Sequence, residues 1–254
     1  MSNRLAGKIA IVTGGSRGIG EAIASSFVQE GAKVVIVSRK QAGLDAAVGR
    51  IVGETGTSVA TYACHMGRPE EIEKLFEWTA DHFGVPNVLV NNAATNPYFG
   101  PLLECTDAAW DKTFEVNLKG YFHGARCLVA GLRKENLPGS IIQISSIYGI
   151  RAAPLQGIYS MTKAAVISMT KTLAVELGHD NIRVNAICPG LVDTRFASVI
   201  VESPELHQIY TDRAALGRIA QPAEIAGTAV FLASDEASYV TGQAIAVDAG
   251  YSIS

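Results

Sequence analysis

The sequence predicts a single α/β domain, in which a doubly wound, parallel sheet of seven strands is covered by helices on both faces to give three layers. Short apolar runs alternate with longer stretches that carry apolar residues at three- and four-residue spacing, the pattern of parallel strands joined by crossover helices. The length of 254 residues lies within the range of one large α/β unit. We therefore expect residues 1–254 to form one domain.

Seven runs are predicted strands because each is short and almost entirely apolar, as expected for strands buried on both faces. They are Lys8–Thr13, Lys33–Val37, Ser58–Ala63, Asn87–Asn91, Ser140–Ser145, Arg183–Cys188 and Ala244–Val247. The predicted helices are Gly20–Glu30, Gln41–Glu54, Pro69–Phe83, Asp107–Lys134, Tyr159–Leu177 and Pro222–Ala233. Thr106 and Pro222 supply start signals, a capping side chain and a first-turn proline.

Residues 193–217 interrupt this alternation with a long, weakly periodic stretch. Long excursions in compact α/β domains are usually lids or binding loops, so we expect a substrate-binding lid here. A plain surface insertion is the alternative.

Composition and charge exclude several classes of function. The 21 basic and 24 acidic residues give a net charge of −3, which leaves no electrostatic footprint for nucleic acid or an anionic membrane. Cysteines and histidines show no metal-ligand spacing, so no metal site is predicted. The first apolar run is too short for a signal peptide or a membrane span, so we expect a cytoplasmic protein without nucleic-acid or membrane partners.

A glycine-rich turn, Thr13-Gly14-Gly15-Ser16-Arg17-Gly18-Ile19-Gly20, lies between the first strand and the first helix. Gly14 permits the tight turn, Gly18 lets the backbone approach a pyrophosphate, and Gly20 lets the helix pack closely on the strand. The helix N-terminus also favours phosphate. The turn therefore predicts a dinucleotide-binding Rossmann-type fold, with Gly14, Ser16, Arg17, Gly18, Ile19 and Gly20 at the cofactor.

The residues that close the second strand indicate which dinucleotide binds. An acid there selects NAD, whereas an arginine accommodates the 2′-phosphate of NADP. This chain has Ser38, Arg39 and Lys40 at that point, and Ser38, Arg39 and Arg17 could surround a phosphate with charge-assisted hydrogen bonds. We predict NADP(H), with NAD(H) less favoured. The alternative is that Arg39 and Lys40 are ordinary surface charges.

Tyr159 and Lys163 lie four residues apart at the start of a predicted helix, so both side chains project from one face. A nearby ammonium favours phenolate and lowers the tyrosine pKa, which would make Tyr159 a general acid or base. A tyrosine and a lysine at this spacing are common by chance. Asn117, and Ser145 with Ser146 at the end of the fifth strand, strengthen the prediction because ligands bind at that edge of a parallel sheet.

These motifs together resemble the short-chain dehydrogenase/reductase family, over essentially the whole chain. They are Thr13–Gly20, Asn91–Ala94, Asn117, Ser146, Tyr159, Lys163, and Pro189-Gly190 with Thr194. The resemblance implies that Ser146 hydrogen-bonds a substrate carbonyl oxygen and that Tyr159 exchanges a proton with it. It also implies that Lys163 binds the nicotinamide ribose and lowers the Tyr159 pKa, and that Asn117 helps hold a water between Lys163 and solvent.

Further cofactor contacts and the assembly follow from the same resemblance. The implied contacts are His65, Met66, Asn92, Ala93, Ala94, Tyr159, Lys163, Pro189, Gly190, Val192 and Thr194, the last holding the carboxamide. Two of these positions depart from the family pattern: Ala94 replaces a usual glycine, and His65 stands where an aspartate commonly meets the adenine. A homotetramer that pairs the helices Asp107–Lys134 and Tyr159–Leu177 is also implied.

Candidate substrate contacts are mostly apolar, which favours a neutral ketone or secondary alcohol, although Arg195 could anchor an anion. They are Asn96, Pro97, Ser146, Ile147, Tyr148, Leu155, Tyr159 and residues 191–200. The sequence thus predicts an NADP(H)-dependent carbonyl reductase or alcohol dehydrogenase. The alternatives are a 3-oxoacyl-[acyl-carrier-protein] reductase, which should carry basic residues at the pocket mouth, a non-catalytic nucleotide-binding regulator, and a structural interaction protein.

Overall fold

A computed structural model describes residues 3–254 and contains one sheet of seven parallel strands. The strands are β1 (Ile9–Thr13), β2 (Lys33–Ser38), β3 (Ala60–Ala63), β4 (Val88–Asn91), β5 (Gly139–Ile144), β6 (Ile182–Pro189) and β7 (Ala244–Val247). Their order across the sheet is β3-β2-β1-β4-β5-β6-β7. Every strand predicted from the sequence is confirmed, with bounds that differ by two residues at most.

The α-helices are α1 (Gly18–Gln29), α2 (Gln41–Thr55), α3 (Pro69–Phe83), α4 (Asp107–Phe114), α5 (Gly120–Glu135), α6 (Gly157–Leu177), α7 (Ser198–Val201), α8 (Pro204–Arg213) and α9 (Pro222–Ala233). The predicted start signals are present: Thr106 Oγ1 accepts from the Ala109 N–H, and Pro222 begins α9. The helices α7 and α8 were not predicted.

Two apolar cores fill the space on either side of the sheet. Successive residues of β1 face opposite sides, so that Val12 packs under α1, α2 and α9 while Ile11 packs under α3, α5 and α6. Burial on both faces explains why the inner strands are mostly apolar, whereas the edge strands β3 and β7 are only partly buried. The predicted three-layer, doubly wound α/β architecture is confirmed.

The predicted helix Asp107–Lys134 is wrong as one continuous α-helix. A π-helical turn, Glu115–Lys119, separates α4 from α5, and the Gly120 N–H donates to the Glu115 carbonyl five residues before it. At Gly120 the helix passes so close to the Met66 carbonyl that a Cβ would have no room. The spacing of apolar residues does not reveal one extra residue in a helical turn. Such π-helical turns often occur at functional sites.

Residues 193–217 contain more structure than the sequence predicts. A short 3₁₀ turn at Arg195–Ala197 is followed by α7 and α8. Beneath them a third, small apolar cluster, which we call the lid cluster, contains Ile147, Leu191, Tyr210 and Ala214.

The sheet changes its direction of winding between β1 and β4, and ligands of parallel sheets bind at such points. The buried Thr13 hydroxyl joins the two strand ends: it donates to the Val90 carbonyl at 3.2 Å and accepts from the Asn92 and Ala93 N–H groups at 2.9 and 3.0 Å. The loops that follow β1 and β4 are therefore held at a fixed separation.

None of the helices within residues 3–254 combines the length and the apolar character needed to cross a membrane. Over the same residues, no three histidine, cysteine, aspartate or glutamate side chains come together as a metal site would require.

The contact between α1 and the glycine turn predicts a stability difference between two glycine substitutions. A Cβ at position 20 would lie 2.5 Å from Asn92 Nδ2 and closer still to the Gly14 carbonyl oxygen. We expect Gly20→Ala to lower the free energy of unfolding by about 1–3 kcal/mol through overpacking.

Gly227→Ala in α9 is the control, because nothing lies within 4 Å of that Cβ, and it should raise the free energy of unfolding by about 0.5–1 kcal/mol. Urea unfolding of both variants measures the difference. Equal effects would contradict the close packing at position 20.

Candidate active site

A cavity of about 880 Å³ opens at the carboxyl edge of the sheet, across the point where the winding reverses. The structure brings most of the predicted site residues to this one cavity. They are Gly14, Ser16, Arg17, Gly18, Ile19, Ser38, Arg39, His65, Met66, Asn92, Ala93, Ala94, Asn96, Ser146, Ile147, Tyr148, Tyr159, Lys163, Pro189, Gly190, Val192, Thr194 and Arg195.

Four predicted contact residues do not line the cavity. Gly20 lies against the Gly14 carbonyl and so serves packing. Lys40 is exposed at the start of α2. Leu155 is 45% exposed at a turn with a left-handed φ of 66°, and Pro97 also lies outside the lining. The structure does not bring these four residues to the cavity, because side chains beside a site in sequence can be directed to packing or to solvent.

The glycine turn gives the cavity a wall of backbone. Gly14 has a φ of 67° and Gly18 a φ of 56°, a left-handed conformation that side chains with a Cβ disfavour. Asn92 Nδ2 donates to the carbonyls of Thr13 and Gly14 at 2.9 and 3.3 Å, which fixes the turn against the loop after β4. Backbone N–H groups at the start of α1 then face the cavity, as anion binding requires.

The end of β2 supplies hydroxyl groups and positive charge to the far end of the cavity. The Ser16 hydroxyl donates a hydrogen bond to the Ser38 hydroxyl at 3.2 Å. The exposed guanidinium groups of Arg17 and Arg39 line the same part of the cavity. Among the described lining residues Asp193 is the only acidic one. This end of the cavity is suited to an anion.

His65 is engaged on both ring nitrogens. Nδ1 accepts from the Gly67 N–H at 3.0 Å, and Nε2 lies 3.1 Å from Lys112 Nζ. Burial and the Lys112 charge lower the His65 pKa. His65 therefore offers the cavity an uncharged ring, and its Nδ1 is already engaged by a backbone N–H.

Ser146 and Tyr159 meet inside the cavity. Ser146 Oγ accepts from the Tyr148 N–H at 3.1 Å, and its hydroxyl is near enough to the Tyr159 phenol to affect the pKa of that phenol. Ser145 Oγ instead donates to the Lys163 carbonyl at 2.8 Å, within the protein. Both serines line the cavity, but the Ser145 hydroxyl is already engaged by the Lys163 carbonyl.

Lys163 lies beneath Tyr159 and is 1% exposed. Its Nζ donates to the Ile144 carbonyl at 2.7 Å and to Tyr121 Oη at 3.4 Å, and it lies 5.4 Å from the centroid of the Tyr159 ring. Because burial disfavours the charged form, the pKa of Lys163 falls to about 7.

The prediction that the Tyr159 pKa is lowered is wrong. Burial raises the Tyr159 pKa above its usual value, and the nearby Ser146 hydroxyl opposes that rise. A lysine four residues away predicts a nearby positive charge, but the sequence does not show that the lysine is itself buried and only partly charged.

Asn117 is buried in the π-helical turn and acts on the backbone of the loop after β4. Its Oδ1 accepts from the Thr95 N–H at 2.8 Å, and its Nδ2 donates to the Thr95 carbonyl at 2.9 Å and to Thr162 Oγ1 at 3.3 Å. Asn117 side-chain atoms do not line the cavity. The residue holds the loop and α6 together beside Lys163.

Several lining residues escaped the sequence analysis. They include Cys64, Thr95, Phe99, Val116, Gln156, Tyr210, Gln221 and Pro222. Gln156 lies one helical turn before Tyr159, a spacing that could have identified it, and its Oε1 accepts from Asn96 Nδ2 at 3.1 Å. Phe196, within the predicted range 191–200, places its ring 5.7 Å from that of Tyr159.

One family model and three known proteins are similar to this chain over most of its length. The model, described as enoyl-(acyl carrier protein) reductase, matches residues 14–252. The human dehydrogenase/reductase SDR family member 4 is 39% identical over 246 residues, which cover 97% of this chain and 88% of that protein.

Two solved structures are also similar. A protein of Agrobacterium tumefaciens, proposed to be a 2-deoxy-D-gluconate 3-dehydrogenase and solved with NADP bound, has a TM-score of 0.90 at 30% identity and 99% coverage of both chains. A short-chain type dehydrogenase/reductase of Mycobacterium ulcerans has a TM-score of 0.93 at 31% identity, covering 100% of this chain and 92% of that one.

The lowered pKa of Lys163 predicts a pH dependence of stability. The unfolded chain holds this proton up to about pH 10.5, whereas the folded protein releases it from about pH 7. Between these values the unfolded state binds more protons, so stability increases with pH. Relative to Lys163→Met, the free energy of unfolding of the wild type should therefore rise from pH 7 to pH 10.

Urea unfolding of both proteins at a series of pH values, without added nucleotide, measures this difference. Taking the difference between the two proteins cancels the titration of other groups. A difference that stays constant over this range would show that Lys163 keeps an ordinary pKa.

Proposed function

The chain belongs to the short-chain dehydrogenase/reductase family, and we propose that it is an NADP(H)-dependent carbonyl reductase or alcohol dehydrogenase. Membership implies an oxidoreductase that uses a nicotinamide cofactor. The observation that carries the finer proposal is the pair of hydroxyls, those of Ser146 and Tyr159, that lines one cavity directly above a buried lysine.

Residues of the cavity fit the cofactor. The left-handed Gly14 and Gly18 leave room for a pyrophosphate, and the start of α1 offers it N–H groups. Thr194, Pro189 and Gly190 would hold the nicotinamide end. When bound, NADP(H) would supply or accept the hydride that passes to or from the carbonyl carbon.

Ser146 and Tyr159 would handle the carbonyl oxygen. Ser146 Oγ would donate a hydrogen bond to it, and Tyr159 would give it a proton during reduction or take one from the alcohol during oxidation. The raised pKa of Tyr159 keeps the phenol protonated at neutral pH, which suits the role of acid.

Lys163 would complete the proton transfer. Its pKa of about 7 means that Nζ can both hold and release a proton near neutral pH, the condition for efficient general acid–base exchange. A phenolate at Tyr159 would favour the ammonium form of Lys163, because opposite charges stabilise each other in a dry site. Asn117 would position the backbone along which a water could connect Lys163 to solvent.

Arg39, Ser38 and Arg17 support the preference for NADP(H). They surround the end of β2 with two guanidinium groups and a hydroxyl, and no carboxylate lines that end to repel a 2′-phosphate. The bound NADP of the Agrobacterium neighbour is consistent with this preference.

A neutral, largely apolar ketone or secondary alcohol is the substrate class we propose. Around Tyr159 the cavity is lined by Ile147, Phe196, Val199 and Ile200. Arg195 also lines the cavity and is exposed, so an anionic group at the outer end of a substrate could pair with it. We further propose that residues 193–217 form the lid over this end.

Two alternative functions are less well supported. Among the candidate basic residues for an acyl-carrier site, Arg126 pairs with Glu73 at 3.3 Å and Arg133 with Asp180 at 2.8 Å. Arg133 and Lys134 also lie at the end of α5 just before β5 begins, at the sheet edge opposite the cavity. A non-catalytic regulator would not need the arrangement of Ser146 and Tyr159.

Exposed apolar side chains support the proposed homotetramer. Trp110, Phe122 and Val175 are exposed on α4, α5 and α6, the helices through which the family resemblance pairs subunits. A cytoplasmic location remains a prediction from the sequence.

Removing the Tyr159 hydroxyl tests the proposed chemistry. Tyr159→Phe should lower kcat/KM for NADPH-dependent reduction of a ketone panel by about 10²- to 10⁴-fold, the contribution of a general acid, while NADPH binding by fluorescence titration stays unchanged. Tyr239→Phe is the matched control, since Tyr239 is fully exposed.

Equal turnover by wild type and Tyr159→Phe would refute the mechanism. Faster reduction of a carrier-bound 3-oxoacyl group than of any free ketone would favour the acyl-carrier alternative instead.

Reversing the charge at Arg39 tests the choice of cofactor. We expect Arg39→Asp to reduce kcat/KM for NADPH by about 10- to 100-fold, the worth of one or two charged hydrogen bonds, and to leave activity with NADH undiminished. Lys40→Asp makes the same charge change at a side chain outside the cavity, so its effect measures long-range electrostatics alone. An unchanged ratio of NADPH to NADH activity in Arg39→Asp would overturn the assignment.

A further inference from the structure

Residues Asp248–Ile253, which we call the clasp, form a tight turn after β7. The Asp248 carboxylate accepts from the Gly250 N–H at 3.1 Å and from the Ser252 N–H at 2.7 Å. Ala249 and Gly250 adopt left-handed φ angles of 57° and 79°, and Tyr251 N–H donates to the Asp248 carbonyl. The backbone of the clasp thus fixes the position of Tyr251.

The Tyr251 ring is held between α8 and the segment that contains Arg151, at the end of the cavity proposed for the substrate. It stacks on Tyr210 of α8 with centroids 4.4 Å apart and planes 6° from parallel. The guanidinium groups of Arg213 and Arg151 lie 5.1 and 5.5 Å from its centroid. Arg151 Nη1 also donates to the Tyr251 carbonyl at 2.7 Å, so the clasp is tied to the segment that follows Ser146.

The stack reaches α8 through Tyr210, the side chain that anchors this helix to the rest of the protein. Tyr210 is the only residue of α8 that is buried. It belongs to the lid cluster, lines the cavity, and its Oη accepts from the Leu191 N–H at 2.7 Å. A helix that buries one side chain has little else to resist displacement, because packing of an apolar face is what normally holds a surface helix.

The loop after β6 leads from the proposed nicotinamide contacts to α8. Its first part, residues 190–193, is held independently of Tyr251. Gly190 N–H donates to the Val247 carbonyl at 3.0 Å, Asp193 N–H to the Ala220 carbonyl at 2.8 Å, and Ala220 N–H to the Leu191 carbonyl at 3.0 Å. These backbone bonds do not involve the Tyr251 ring. Loss of the ring should therefore affect the substrate end more than the cofactor end.

We propose that Tyr251 is a positioning residue that holds α8 over the substrate end of the cavity through its stack on Tyr210. This inference rests on the proposed function for its effect on substrate, but its effect on α8 is independent of any turnover.

Hydrogen exchange and steady-state kinetics of Tyr251→Ala test the proposal together. Loss of an aromatic pair with its cation contacts should increase amide exchange in residues 204–213 by about tenfold and raise KM for the ketone by a similar factor. KM for NADPH should stay near the wild-type value. Tyr251→Phe should restore both quantities, because a phenyl ring at this position keeps the stack on Tyr210.

Ile253→Ala is the control for a general disturbance of the clasp, since Ile253 is 90% exposed in the same turn, and it should behave as wild type. Unchanged exchange in α8 of Tyr251→Ala would overturn the proposal, as would increased exchange with an unchanged KM for the ketone. If the wild type reduces no ketone, the proposed function fails, while faster exchange in Tyr251→Ala and its reversal in Tyr251→Phe would still support the clasp.

Discussion

The position of the whole site depends on one buried hydroxyl, that of Thr13, at the point where the sheet reverses its winding. Three hydrogen bonds from this oxygen join the end of β1 to the end of β4. Strand β1 continues into the glycine turn, and β4 continues into the loop that carries Asn96. A cavity between two diverging loops keeps its width only if their starting points are fixed, and a parallel sheet offers no hydrogen bonds beyond its last paired residues.

Burial of Lys163 connects the packing of the fold to its chemistry. The Lys163 amino group donates to a strand carbonyl and packs against two tyrosine rings. The same apolar surroundings that stabilise α6 on the sheet therefore disfavour the charged form of Lys163 and lower its pKa. Charges interact more strongly in such a buried place than at the surface, because the low dielectric of the interior screens them less. The core of this protein is therefore part of its proposed reactive centre.

The sequence predicted the layers, the strands and most residues of the cavity, because each of these follows from a local pattern. Alternation of apolar runs gave the sheet, and Gly14 and Gly18 marked the cofactor edge. It missed the π-helical turn at Glu115–Lys119, whose one extra residue leaves the apolar spacing almost unchanged. It also missed α8, although Ser203 caps that helix and Pro204 begins it, since a mostly exposed helix has little apolar periodicity.

The predicted site residues that do not line the cavity have a different explanation. Leu155 and Lys40 are neighbours of site residues in sequence, but a turn with positive φ and an exposed helix start take them out of the lining. The direction of the Tyr159 pKa shift was wrong because it depends on how deeply two groups are buried together. Burial is a property of the assembled tertiary structure that a four-residue spacing does not contain.

The loop after β6 is held in two chemically different ways, and this has a consequence for how such a protein can evolve. Its cofactor end is fixed by backbone hydrogen bonds to Val247 and Ala220, which survive most changes of side chain. Its substrate end is fixed by side chains, above all Tyr210 and Tyr251. If residues 193–217 cover the substrate as proposed, mutations there can change which substrate is accepted, while the backbone that would hold the nucleotide keeps its position.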